Sequence, residues 1–130
     1  MTKRILVVDD SPAIRSGIKM LLKQSGYTVE IAGDGEQGLQ VAKEGRFDLI
    51  LSDIMMPHMN GIEMIHALRK LPSYSAVPIL VLTTESENEL VRRALEAGAR
   101  TWMIKPFAPD MLLQTVEAAL EAPRGDVAAG

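Results

Sequence analysis

Two adjacent aspartates, Asp9 and Asp10, close a run of apolar residues in "ILVVDDSPAI". Asp53 closes a second run in "DLILSDIMMPHMNG", Thr83 and Thr84 a third in "PILVLTTES", and Lys105 a fourth in "TWMIKPF". Taken singly, each has a plain structural reading. An aspartate after a strand is commonly a helix cap, a threonine a strand-end hydroxyl, and a lysine a surface charge. At the aspartate pair, however, Ser11 already suits the cap, and Pro12 suits the first helical position. Carboxylates gathered together repel one another unless a cation offsets them. A hard divalent ion such as Mg²⁺ takes oxygen ligands while keeping several waters, and Lys105 supplies a further positive charge. A carboxylate beside such an ion and an ammonium can act as a nucleophile toward phosphorus. The metal, lysine and threonine would take the charge of the phosphoryl oxygens. The product would be an aspartyl phosphate.

That chemistry requires elements that bring these residues together. Short apolar runs at Ile5–Val8, Thr28–Ala32, Leu49–Leu51, Ile79–Leu82 and Thr101–Ile104 have strand length. The runs beginning at residues 5, 49 and 79 are continuous rather than alternating, as in parallel strands covered on both faces. Between the runs, helical spacing groups Ile14, Ile18, Leu21 and Leu22; Leu39, Val41 and Ala42; Ile62, Ile65 and Leu68; Leu90, Ala94 and Leu95; and finally Leu112, Leu113, Val116 and Leu120. Asp34 with Gln37, Asn60 with Glu63 and Ser86 with Glu89 have capping-box spacing, and Gly26, Gly45 and Gly98 sit where helices should end. Strand and helix alternate five times, which predicts a single-domain α/β fold, a (βα)5 doubly wound parallel sheet with right-handed crossovers. In such a sheet the functional crevice lies beyond the carboxyl ends of the strands. Asp9, Asp10, Asp53, Thr83, Thr84 and Lys105 all map there.

The chain of 130 residues suits one domain. Its net charge of −3 gives no reason to expect non-specific attraction to nucleic acid or an anionic membrane. The absence of cysteine excludes disulfides and Cys-based zinc sites and suits a reducing cytoplasm. The N-terminal apolar run is too short for a signal peptide or a membrane span. Residues 1–121 are expected to form the domain and 122–130, small and unpatterned, a disordered tail. Met56, Met59 and Met64 read as adaptable packing, and His58 and His66 lack a second ligand at metal spacing.

"VVDDS", "LILSDIMMPHMNG", "VLTT" and "IKPF" together resemble the signature of response-regulator receiver domains, in that family's order and over about residues 3 to 121. The resemblance implies the flavodoxin-like strand order 2-1-3-4-5. It implies that Asp53 is the phosphoacceptor, that Asp9, Asp10, Asp53 and the backbone carbonyl of Met55 hold Mg²⁺, and that Lys105 contacts the phosphoryl group. Thr83 would be the switch hydroxyl, Trp102 a second switch residue, and Lys105-Pro106 a cis peptide. The phosphodonor would be a histidine kinase. "GARTWMIKPFAPDMLLQTVEAAL" is similar to the stand-alone chemotaxis (CheY-like) regulators of the family, whose output surface would here comprise Leu90 to Ala97, Trp102 and Asp110 to Leu120. Only residues 122–130 follow the last predicted helix, so no helix-turn-helix or enzymatic domain is expected after it. The expected partner is therefore a downstream protein, with no nucleic acid and no membrane, and the expected state a cytoplasmic monomer. A phosphate sink or a motility or phosphorelay receiver are alternatives within the family.

Two departures from the family pattern stand out. Trp102 occupies a position more often Tyr or Phe, and Met55 and Glu85 stand two residues beyond Asp53 and Thr83, where neighbours tune the life of the phosphoryl group. Two rivals come from other classes. A Mg²⁺-dependent aspartyl-phosphate phosphatase would carry its nucleophile after strand one as Asp-x-Asp, whereas Asp9 and Asp10 are adjacent. A flavin carrier would need a phosphate loop where "DDSPAI" puts two negative charges. The resemblance implies a phosphoacceptor that promotes its own phosphotransfer and dephosphorylation rather than an enzyme.

Overall fold

Ile5, Leu6, Val7 and Val8 are each completely buried, as a strand covered on both faces must be. The computed structural model describes residues 2–84 and 88–122. Glu85, Ser86 and the tail from 123 lie outside the described residues. Among the described residues, strands β1 (Arg4–Val8), β2 (Thr28–Ala32), β3 (Leu49–Asp53), β4 (Ile79–Thr83) and β5 (Thr101–Ile104) form one parallel sheet in the order β2-β1-β3-β4-β5. Helices α1 (Pro12–Gln24), α2 (Gly35–Glu44), α3 (Gly61–Arg69), α4 (Asn88–Ala97) and α5 (Pro109–Glu121) alternate with them. This is the flavodoxin-like (βα)5 fold.

The strand pleat sorts the core into two layers. Ile5, Val7, Leu49, Leu51, Leu80, Leu82 and Met103 pack with α1 and α5. Leu6, Val8, Ile50, Ile79 and Val81 pack with α2, α3 and α4. The edge strands β2 and β5 expose part of each face, which explains their broken apolar patterns. β3 and β4 reach past their predicted apolar cores to Asp53 and Thr83. Both residues are therefore fixed by the sheet ladder rather than carried on loops.

Ser11 caps α1 by accepting from the Ile14 N–H at 3.3 Å, and Asn60 and Glu63 complete a reciprocal capping box on α3. The box expected at Asp34 is only half reciprocal. Asp34 accepts from the Gln37 N–H at 2.9 Å, but the Gln37 side chain accepts from Gly33 instead, also at 2.9 Å. Leu95 departs from its predicted stripe. It is exposed, and Val91, Ala94 and Ala97 form the buried face of α4.

A short 3-10 turn at Pro72–Tyr74 had no clear sequence signal. It buries Tyr74, whose hydroxyl lies 2.6 Å from the Ala42 carbonyl oxygen and 3.1 Å from that of Gly45. Nearby, the Arg69 guanidinium donates to the carbonyls of Tyr74, Val77 and Gly98. These contacts close the end of the sheet opposite the predicted crevice.

Candidate functional site

The chain leaves β1 toward β2 on one side and then crosses back to β3 on the other. The adjacent carboxyl ends of β1 and β3 therefore form a topological switch point. Val8 pairs with Ser52, which brings Asp9 level with Asp53, and Asp53 pairs in turn with Leu82. Lys105 enters from β5, its N–H donating to the Thr83 carbonyl at 2.7 Å.

Asp9 is fully buried. Its Oδ1 accepts from the Ser11 N–H at 2.9 Å and its Oδ2 from Lys105 Nζ at 3.0 Å. Asp53 is nearly buried. Its Oδ1 accepts from the Ile54 N–H at 2.7 Å and its Oδ2 from the same Lys105 Nζ at 3.1 Å. Asp10 stands exposed at the mouth, and a carboxylate oxygen from each of Asp9, Asp10 and Asp53 lies within 4.8 Å of the others. Three hard oxygen donors this close, one of them reaching solvent, fit a divalent ion that keeps part of its water shell. Thr83 is buried in the last ladder position of β4. The Lys105-Pro106 peptide is cis. The Met55 side chain is exposed beside this rim.

Burial pushes the Asp53 carboxyl above the usual carboxylate range, and the charge of Asp9 adds to that. Lys105 and the Ile54 N–H oppose the rise without cancelling it. Burial alone would lower Lys105, but hydrogen bonds and charge from Asp9 and Asp53 outweigh it and hold the ammonium above its ordinary value. The result is a firmly cationic lysine between two carboxylates, one of them reluctant to ionise. Such a group becomes more stable when further positive charge arrives.

The loop after Asp53 is held close. Gly61 N–H donates to the Ile54 carbonyl at 2.8 Å, and a Cβ at Gly61 would overlap the Asp53 carbonyl oxygen. Trp102, paired with Val81, is 42% exposed, and Met103 beside it is buried on the opposite face. On α4, Arg92 pairs within its own helix with Glu89 and Glu96. One residue near the site escaped the sequence reading: Arg15, whose Nη1 donates to the Asp9 carbonyl at 2.7 Å. Its position four residues after the Ser11 cap was the available signal.

Residues 5–117 match the response regulator receiver domain. The chain belongs to that family. Over 120 residues this receiver domain is 41% identical to the DNA-binding response regulator MtrA of Mycolicibacterium smegmatis, covering 92% of this chain and 51% of that protein. The chain thus spans about half the length of the curated relatives it matches. Among solved structures it is similar to the chemotaxis response regulator CheY4 of Vibrio cholerae, at 41% identity and a TM-score of 0.88, covering 92% of this chain and 99% of that one. It is also similar to the receiver domain of the sensor histidine kinase PA1611 of Pseudomonas aeruginosa, which was solved with a magnesium ion coordinated in its active-site cleft. There the identity is 28% and the TM-score 0.87, over 94% of this chain and 100% of that one.

The MtrA relationship corrects one expectation. The expectation of no nucleic-acid partner rests on the net charge of −3 and on the few residues that follow the last predicted helix. Those features describe only the stretch in hand, and a receiver domain of this sequence type occurs in a regulator named for DNA binding. An acidic domain can govern a DNA-binding one without touching DNA itself. Among the described residues, no helix is long and apolar enough to cross a membrane.

Proposed function

We propose that this receiver domain, residues 1–121, is a phosphorylation-controlled signalling switch that takes a phosphoryl group from a histidine kinase on Asp53. The observation that carries this reading is the single ammonium of Lys105 shared between Asp9 Oδ2 and Asp53 Oδ2, at 3.0 and 3.1 Å, inside a cluster of three carboxylates. Asp9, Asp10, Asp53 and the Met55 backbone carbonyl would hold Mg²⁺, which when bound neutralises charge on the phosphoryl oxygens. The magnesium in the PA1611 receiver supports that assignment.

The chain's own residues do the rest. An Asp53 carboxylate oxygen bonds to phosphorus as the nitrogen–phosphorus bond of the phosphohistidine breaks and the imidazole departs. Lys105 stays with the new anion, and the Thr83 hydroxyl donates to a phosphoryl oxygen. Later attack by water on phosphorus returns Asp53 and releases phosphate. The domain so promotes its own phosphorylation and dephosphorylation in the cytoplasm, without a separate substrate to turn over.

Output passes through α4, β5 and α5, where Leu95, Trp102, Ile104 and Met111 are exposed. The similarity to CheY4 supports a chemotaxis role, and the similarity to MtrA supports control of transcription. Beryllofluoride, a mimic of the aspartyl phosphate, tests the switch. With Mg²⁺ it should shift the amide resonances of residues 53, 83 and 105 and those of α4 and β5; no shift at residue 53 would contradict the proposal. Affinity capture by the beryllofluoride form and the free form, compared side by side, separates a motility target from a transcriptional one.

A further inference from the structure

Asp9 and Asp10 are neighbours in sequence but are held very differently. Asp9 is fixed from three sides: its N–H donates to the Ala32 carbonyl at 3.2 Å, and its two carboxylate oxygens accept from Ser11 and Lys105. Among the described residues no side-chain hydrogen bond or ion pair holds the Asp10 carboxylate. Its direction therefore depends on its backbone, and first on the plane of the Asp9–Asp10 peptide. The carbonyl of that peptide is the one that accepts from Arg15 Nη1 at 2.7 Å.

Arg15 is half-buried and, among the described residues, forms no ion pair, although it reaches the backbone of a residue in the carboxylate cluster. Its charge meets a peptide oxygen instead. The guanidinium reaches that oxygen by crossing Gly33. A Cβ on Gly33 would come within 3.3 Å of both Arg15 Nη1 and Gln37 Oε1, and Gln37 Oε1 is itself fixed on the Gly33 N–H at 2.9 Å. The displaced half of the α2 capping box thus has a consequence at the site. Gln37, Gly33 and Arg15 form one clasp between the β2–α2 turn and the β1–α1 turn.

We propose that Arg15 is a positioning residue for cation binding. It fixes the Asp9–Asp10 peptide so that the otherwise unsupported Asp10 carboxylate faces the ion, and Gly33 with Gln37 keeps its path open. This rests on the reading of Asp9, Asp10 and Asp53 as a Mg²⁺ site. Charge and position act here with opposite signs. A guanidinium near the site repels a cation, so if charge were its whole effect, its removal would tighten Mg²⁺ binding. If Arg15 sets the geometry, its removal weakens binding.

The experiment is calorimetric titration of Mg²⁺ into the unphosphorylated protein, well below its melting temperature, for the wild type, Arg15→Met, Arg15→Lys and Gly33→Ala. Arg15→Met should raise the dissociation constant about tenfold, equivalent to about 1.4 kcal/mol. Arg15→Lys keeps the charge and a single shorter donor, and should fall between Met and wild type. Gly33→Ala, which keeps Arg15 but crowds its path, should weaken binding less than Arg15→Met. Should the Met variant fail to fold, the Lys and Ala variants decide the matter. Binding by Arg15→Lys equal to wild type, or tighter binding by Arg15→Met, would overturn the positioning role while leaving the metal site in place. No saturable binding by the wild type would overturn both.

Discussion

Lys105 places its ammonium 3.1 Å from Asp53 Oδ2, although β4 lies between the two strands that deliver them. The same nitrogen is bonded to Asp9 Oδ2. One cation therefore serves two buried carboxylates, and the balance is incomplete: the Asp53 carboxyl remains above its ordinary range.

The incomplete balance predicts a pH dependence. A carboxyl whose folded value is raised binds more protons in the native state than in the unfolded one, so stability falls as pH rises through the window between the two values. Lys105, also raised, gives stability that is present below its unfolded value and lost only as pH climbs through its higher folded value, so it is constant over the acidic to neutral range. Metal-free Asp53→Asn should therefore melt above the wild type at pH 7, and the gap should close toward pH 4. Melting curves in a chelator check this. A wild type more stable than Asp53→Asn at pH 7 would contradict the burial argument.

Mg²⁺ should restore the balance. A ligand that binds only the native state stabilises it by about 2.7 kcal/mol at a hundredfold excess over its dissociation constant, so the melting temperature should rise by several degrees with millimolar Mg²⁺. Asp10→Asn, which leaves the two buried carboxylates on Lys105, should weaken that rise and also raise the melting temperature of the metal-free protein. A wild-type curve indifferent to Mg²⁺ would count against the site.

Thr83 and Trp102 are diagonal neighbours across β4 and β5: Val81 pairs with Trp102 and Thr83 with Ile104, so the two share a face. If Thr83 turned toward a phosphoryl group on Asp53, as proposed, space would open on that face for the 42% exposed indole. Beryllofluoride with Mg²⁺ should accordingly change Trp102 emission and reduce its quenching by iodide. A coupling of about 1–3 kcal/mol suffices. Thr83→Ala should blunt the change and Asp53→Asn abolish it. Unchanged emission and quenching in protein shown to bind the mimic would remove Trp102 from the switch.

Away from the site, Tyr74→Phe removes the hydroxyl that the Ala42 and Gly45 carbonyls share. It should cost about 1–3 kcal/mol, the usual penalty for leaving a buried acceptor unpaired. The stabilisation by Mg²⁺ should stay the same. Denaturant unfolding with and without Mg²⁺ measures both.

The residues legible in the sequence are those whose meaning is local. Asp9, Asp53 and Thr83 declare themselves by ending apolar runs, and a strand end in a doubly wound sheet has a known destination. The continuous runs of β1, β3 and β4 likewise announced strands covered on both faces. Arg69 and Tyr74 carried no such mark, and Arg15 had only its place four residues after the Ser11 cap. Each acts on a backbone carbonyl, and a carbonyl has no signature in a sequence. For Arg69 and Tyr74 the carbonyls reached include some about thirty residues away in the chain. Leu95 misled because the apolar stripe of α4 is narrow, and a one-residue turn of the helix carries it to the exposed side.

The central claim is that Asp53 is the residue that takes the phosphoryl group. Incubation with acetyl phosphate and Mg²⁺, borohydride trapping of the acyl phosphate and peptide mass mapping test it directly. Label should appear at Asp53, should require Mg²⁺, and should be absent from Asp53→Asn. Full labelling of Asp53→Asn at another residue, or labelling of the wild type that is indifferent to Mg²⁺, would contradict the account.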